Sequence, residues 1–180
     1  FSFIADILEK GLLNGKLSVS KDGELDYSPN NSKKLKIPLH ISASIVKSLS
    51  SIVLYFRHFA QKGDLVIIDE PELNLHPDSQ IILAKVFGIM INSGLKLIIN
   101  THSDYIIRSF TNYLLSNKVN NKKAQLQYNQ VTTYILDENK IKQIDSLINI
   151  DNLGIFDNPS SKLEDEYYLL LDNLIDSEDD

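Results

Sequence analysis

Two adjacent carboxylates close an apolar run: Leu65-Val66-Ile67-Ile68 is followed by Asp69-Glu70-Pro71. An uninterrupted apolar run of this length is the pattern of a strand buried on both faces. In open parallel sheets, ligands sit outside the carboxyl ends of the strands. Two unpaired charges are costly to bury, so Asp69 and Glu70 are expected to meet solvent, a cation or a bound ligand there. Phosphoryl transfer uses this equipment: one carboxylate to hold Mg²⁺ and one acceptor to orient a water. The plainer alternative is an acidic pair in a strand-end turn.

A second apolar run, Leu95–Ile99, leads into Asn100-Thr101-His102-Ser103-Asp104. If the two strands are neighbours, His102 and Glu70 open onto one crevice. An imidazole there could hydrogen-bond a terminal phosphate; capping or packing at a helix start is the alternative. A third stretch, Ser42-Ala43-Ser44-Ile45-Val46-Lys47, places small hydroxyl residues at the start of the longest amphipathic pattern. Exposed N–H groups and the helix dipole make such a terminus an anion site, unless the hydroxyls are ordinary N-caps.

These residues need elements to hold them. Phe1, Ile4, Ile7 and Leu8 follow helical spacing. Gly15–Ser20 and Glu24–Ser28 alternate around Lys21-Asp22-Gly23, a hairpin pattern. Leu35–His40 reads as a strand with Pro38 at an edge or end. Ser44–Ala60 reads as a helix with Ile45, Leu49, Ile52, Val53 and Phe56 on one face. After the Leu65–Ile68 strand, Pro77 starts a helix that turns Ile82, Val86, Ile89 and Met90 inward and ends near Asn92-Ser93-Gly94. After Leu95–Ile99, Thr101 or Ser103 caps a third helix with Ile107, Phe110 and Leu114 inward. Strand and helix alternating over short joints is the grammar of a parallel sheet with crossover helices. Asn117–Asn129 is polar and loop-like. Gln130–Leu136 and Lys140–Ser146 suggest a second hairpin, and Leu163–Ile175 a final acidic helix.

The stretch from Ile67 to Pro77, IIDEPELNLHP, with Thr101-His102-Ser103-Asp104 downstream, resembles an ABC-type ATPase head. More narrowly, it resembles bacterial AAA-family ATPases related to the SMC, RecF and OLD proteins. Their Walker B strand reads as an apolar run, then Asp-Glu-Pro-Glu, then Leu-His-Pro. The resemblance covers about Gly15 to Asp157. It implies an α/β fold, the C-terminal lobe of a P-loop NTPase of ABC type, with parallel core strands, crossover helices and small β-hairpins. It implies ATP and Mg²⁺ as ligands. Asp69 would hold the metal, through water. Glu70 would be the general base or water-orienting carboxylate, and His102 the switch histidine at the terminal phosphate. Asn74 would lie in the D-loop, Leu73–His76, at a dimer interface. Ser42 or Ser44, with Lys47, would stand where the family has its nucleotide-binding signature. That signature here departs from Leu-Ser-Gly-Gly-Gln in having no Gly. No G-x-x-x-x-G-K-[ST] occurs in the sequence; in the family it lies N-terminal to everything seen here. With a helical pattern already under way at Phe1, the chain is expected to be one lobe of a split head that by itself binds nucleotide poorly and does not turn it over.

The chain has 180 residues, 43% hydrophobic and 23% charged, a core-forming composition. It has no Cys, which excludes disulfides and thiolate metal sites. It has no apolar run near the ~18–20 residues of a membrane span, and no visible signal peptide. The expected compartment is the cytoplasm, with no membrane partner. Net charge is −6. Residues 163–180 carry eight acids and no Lys or Arg, which leaves the rest slightly basic. The expected division is therefore 1–157 as the ATPase lobe and 158–180 as an acidic helix or tail. Lys33, Lys34 and Lys36, and Lys118, Lys122 and Lys123, are short clusters without interleaved aromatics and read as solvated surface. The resemblance implies a homodimer through an ATP sandwich, in DNA repair or phage defence, and leaves nucleic-acid binding open. One alternative is a non-catalytic interaction module that docks an effector protein. Another is a metal-dependent nuclease on Asp69, Glu70, Glu72 and His76, against which Pro71 is expected to turn Glu72 and His76 away from the strand end.

Overall fold

Helix α1, Ser2–Leu8, runs directly into a π-helical turn, Glu9–Leu13. Ile4, Ala5 and Leu8 are buried by it, as the Phe1/Ile4/Leu8 spacing requires. Asn14, in a left-handed conformation, ends the helical stretch. The chain then forms a hairpin, β1 (Gly15–Val19) against β2 (Leu25–Pro29), in antiparallel register from Gly15↔Pro29 to Val19↔Leu25. Gly23 takes the positive φ of the turn. Tyr27 ties the hairpin to the helix by donating its hydroxyl to the carbonyl of Leu13 at 2.6 Å.

The expected strand over Leu35–His40 is shorter. Only Ile37–Pro38 forms β3, on the edge of β2, and Leu39–Ile41 becomes a 3₁₀ turn. Pro38 has no N–H to extend the ladder, so the chain leaves the sheet there. Helix α2, Ser44–His58, buries Val46, Leu49, Val53 and Phe56 and packs beside α1.

Strand β4 (Leu65–Asp69) and strand β5 (Lys96–Asn100) pair in parallel, joined by helix α3 (Pro77–Asn92). Helix α4 (Asp104–Val119) follows and packs on α3. The core gathers α1, α2, α3 and the inner sides of β4 and β5 around Leu8, Phe56, Phe87 and Met90. Val66, Ile68, Leu97 and Ile99 face that core. Their alternates do not: Leu65, Ile67 and Ile98 are 54%, 68% and 53% exposed. The expectation of strands buried on both faces is corrected to burial on one. The runs are apolar at every position but Lys96, yet only one face meets the described core.

The computed structural model describes residues 1–32, 34–120, 125–137, 140–144, 147 and 167. It divides the chain into two compact units, Phe1–Val131 and Thr132–Asp180. The second unit contains the hairpin β6 (Thr133–Asp137) and β7 (Lys140–Ile144), near the segments expected for it. The final helix expected over Leu163–Ile175 lies outside the described residues apart from Tyr167, which is helical. Lys33, Lys122, Lys123 and the boundary at 157 also lie outside them. No helix among the described residues is long and apolar enough to cross a membrane.

Candidate active site

Parallel pairing of β4 with β5 runs from Leu65↔Lys96 to Asp69↔Asn100, so both carboxyl ends finish at one level. Asp69 accepts from the Asn100 side-chain amide, with 2.7 Å between Oδ1 and Nδ2. Glu70 donates its N–H to the Asn100 carbonyl at 2.9 Å. Its backbone is left-handed, φ +45°. For a residue with a Cβ, that conformation costs about 1–2 kcal/mol. Glu70 Oε1 then lies 3.4 Å from His102 Nε2, with side-chain exposures of 39% and 78%. A contact this exposed is worth at most ~1 kcal/mol, so it offsets little of the strain. The side chains meet solvent at a sheet end, where Glu70 and His102 come together and Asp69, held by Asn100, closes β4 one residue before Glu70.

Glu72 is a correction. It does not point away: its Oε2 accepts from the Thr101 hydroxyl at 2.8 Å, and its Oε1 from the N–H of His102 at 2.6 Å. Leu73 N–H to Glu70 O (3.1 Å) and Leu75 N–H to Glu72 O (2.9 Å) form two overlapping turns that bring the side chain back toward β5. His76 behaves as a helix-start device. Its Nδ1 accepts from the N–H of Asp78 at 3.3 Å, and Pro77 occupies the first position of α3. With Glu72 and His76 so engaged, the four-residue nuclease set does not assemble. Among the described residues no three His, Cys, Asp or Glu side chains form a metal-holding group.

Ser103 caps α4 by accepting from the N–H of Ile106. Its hydroxyl also bonds Gln80 of α3, and Gln80 donates to the Leu75 carbonyl at 3.0 Å. The loops after β4 and β5 are thus laced at Asn100, Glu72 and Gln80. Neither Asn100 nor Gln80 stands out by sequence, and Glu72 does so only as a candidate metal ligand. Asn100 merely precedes the His102 turn, and Gln80 sits one turn into a helix.

The start of α2 carries the remaining candidates. Ser42 is buried and donates to the Pro38 carbonyl at 3.1 Å, whereas Ser44, the first helical residue, is exposed. Ala43 occupies the N-cap, and no side chain caps the helix, so its first amides remain open to an external acceptor. Lys47 donates to the His40 carbonyl at 3.3 Å. Asn74, also left-handed at φ +62°, donates its amide to Ser48 Oγ at 2.9 Å, which ties the loop after β4 to α2. Among the described residues no hydrogen bond joins Ser42, Ser44 or Lys47 to Asp69, Glu70 or His102.

The site is thus an α/β core with parallel strands and a crossover helix, carrying acidic and imidazole groups at the shared strand ends. The model of the AAA ATPase domain matches residues 2–107, and the chain belongs to that family. The match spans α1 to the first turn of α4 and so includes every residue of the constellation. A solved SMC ATPase, described by its ATP-driven dimerization and DNA-stimulated activation, superimposes with a TM-score of 0.56. The superposition covers 87% of this chain and 88% of that one at 11% identity, and it shows the shared fold. No curated protein matches the chain.

Proposed function

We propose that this lobe works in ATP hydrolysis, with Glu70 activating the attacking water and His102 bonding the terminal phosphate. The observation that carries the reading is the strained backbone of Glu70, which turns its carboxylate to within 3.4 Å of His102 at the level where β4 and β5 end. Strain of this kind persists where surrounding structure enforces it, and it clusters at working sites. Asp69 fits a Mg²⁺ role: Asn100 fixes its Oδ1 and leaves Oδ2 for the ion or its water. Magnesium accepts such a site because it keeps several waters and binds through one or two carboxylates plus phosphates. When bound, it supplies charge neutralisation on those phosphates.

In this reading Ser44 and the uncapped start of α2 serve a nucleotide held by a second copy, with Asn74 at the seam. Ser42 is spent on the Pro38 carbonyl, which favours Ser44 as the signature serine. ATP would then join two heads and hydrolysis would release them. The dimerization of the related SMC ATPase supports this arrangement, and its stimulation by DNA makes DNA the first effector to test. Residues 1–180 alone should not turn ATP over, since no Walker A Lys or Gly-rich cradle is among them.

The experiment is Glu70→Gln in the full-length protein. Steady-state ATP turnover should fall at least ~100-fold, within the range attributed to a positioned general base. ATP-dependent dimers, followed by light scattering, should persist and lengthen in lifetime. Turnover within threefold of wild type would make Glu70 structural and return the chain to a non-catalytic interaction role.

A further inference from the structure

Glu72 is a carboxylate that the proposed hydrolysis does not use, yet both of its oxygens are committed. One accepts the Thr101 hydroxyl at 2.8 Å and the other the N–H of His102 at 2.6 Å. Those two donors lie in residues 101–103, which belong to neither β5 nor α4. Ser103 anchors the far end of that stretch by capping α4 and bonding Gln80, but no strand ladder or helix holds Thr101 and His102. The His102 side chain is 78% exposed, so packing does not fix the imidazole either. Its position is inherited from its backbone, and that backbone is held by a carboxylate reaching over from the loop that carries Glu70. Thr101 extends the grip, since its hydroxyl oxygen also accepts from the N–H of Ser103 at 3.0 Å.

We infer that Glu72 is a positioning residue that clamps the His102 loop onto the Glu70 loop. The inference rests on the reading of Glu70 and His102 as the reacting pair. A carboxylate suits the task because both partners are donors, and a charged acceptor makes each bond shorter and stronger than a neutral one. A glutamine offers one acceptor and one donor. It can keep the His102 N–H, but it holds Thr101 only if that hydroxyl turns around. The clamp also gives the loop after β4 a grip on His102, while Asn74 of that same loop grips Ser48 on α2.

The test is made in the full-length protein on ATP turnover. Glu72→Ala should lower kcat about 10–100-fold, the scale on which a misplacement of about 1 Å acts, with KM for ATP within threefold. Glu72→Gln should recover part of the loss. In a His102→Ala background, Glu72→Ala should lower kcat less than threefold further, because two residues acting through one contact are not additive. Thr101→Val removes one of the two bonds and should lower kcat less than Glu72→Ala. It keeps the test available if Glu72→Ala does not fold. Hydrogen exchange of the His102 amide should accelerate at least tenfold in Glu72→Ala. Wild-type kcat in both Glu72→Ala and Thr101→Val, or an undiminished further loss in the His102→Ala background, would overturn the clamp. If Glu70→Gln and His102→Ala retain full turnover, the reading of the reacting pair fails instead. The His102 amide then decides: unchanged exchange overturns the clamp, and accelerated exchange upholds it as a structural link.

Discussion

Two residues in the loop after β4, Glu70 and Asn74, hold a left-handed backbone without being glycine. Asparagine tolerates that conformation better than most because its short polar side chain bonds locally; here it bonds Ser48. Asn74→Gly should keep the turn and lose only that exposed hydrogen bond, at a cost under ~1 kcal/mol. Asn74→Ala should add the left-handed penalty and cost about 1–2 kcal/mol. Urea denaturation of the two variants side by side measures the difference, and equal midpoints would contradict it. Tyr55 and Asp64 form a second residue-scale device, a 2.6 Å hydrogen bond from the phenol to the carboxylate. Burial, reinforced by Asp64, pushes the Tyr55 phenol up to about 12. The Tyr55 bond and the Gln61 N–H hold Asp64 below its ordinary value. A depressed carboxylate gives stability that is present above its unfolded pKa and lost as pH falls through the folded one. A raised phenol gives stability that is present below 10 and lost as pH rises toward 12. Tyr55→Phe should therefore flatten both limbs of the melting temperature measured against pH. Asp69, Glu70 and His102 could be picked out by sequence because each follows closely on an apolar run. Glu72 could be picked out only as a metal ligand, not as the partner of Thr101 and His102, because Pro71 and two overlapping turns decide where its side chain goes, and spacing does not encode that.

Element order was legible from periodicity, while faces and ends were less so. The reading of α4 put Ile107, Phe110 and Leu114 inward. The residues fully buried are Ile106, Thr111, Leu114 and Asn117, with Phe110 only partly buried against the core. Ser103 rather than Thr101 caps the helix, and the buried stripe takes in two polar residues that a hydrophobic pattern cannot reveal. Asn117 is buried because it donates to the Leu126 carbonyl at 3.1 Å, and Thr111 because it donates to the Ile107 carbonyl within its own helix. The contact between α3 and α4 depends on a small residue. A Cβ on Gly88 would come within 2.4 Å of the Tyr113 ring. That ring cannot simply swing aside, since it stacks on Phe110 and its hydroxyl accepts from Asn92 at 2.6 Å. Gly88→Val should therefore push the two helices apart and destabilise the protein by about 1–3 kcal/mol, the usual effect of overpacking. Gly88→Val/Tyr113→Ala should be less destabilised than the sum of the single changes, as a double-mutant cycle by chemical denaturation can measure.

The first compact unit, Phe1–Val131, is held together as a whole by more than its apolar core. Glu9, in the π-helical turn, is 2% exposed. It accepts the N–H of Leu17 in β1 at 2.9 Å and the guanidinium of Arg57 in α2 at 2.6 Å. Arg57 also reaches Asp6 at 2.9 Å and holds its carboxyl below the usual range. One carboxylate thus joins two neighbouring elements to α2, which lies far away in sequence, and its burial makes the arrangement unforgiving. A buried ion pair stabilises little relative to apolar residues of the same shape, but removing one member strands the other charge. Arg57→Met keeps most of the side-chain bulk and leaves Glu9 charged in the interior, so it should cost about 3–5 kcal/mol. At this chain length each kcal/mol moves the melting temperature by about 2–4 °C, so a drop on the order of 10 °C is expected. Asp6 loses its main partner at the same time, so its share of acid sensitivity, present above its unfolded pKa and lost as pH falls, should disappear. The double change Glu9→Gln/Arg57→Met removes the stranded charge while the amide oxygen still accepts from Leu17. It should recover most of the loss, whereas Glu9→Leu/Arg57→Met, which abandons that N–H, should recover less. Calorimetric melting of the three variants separates the two contributions. If Arg57→Met alone melts within 2–3 °C of wild type, a change worth about 1 kcal/mol, Glu9 is not stranded and the three elements are held by packing alone.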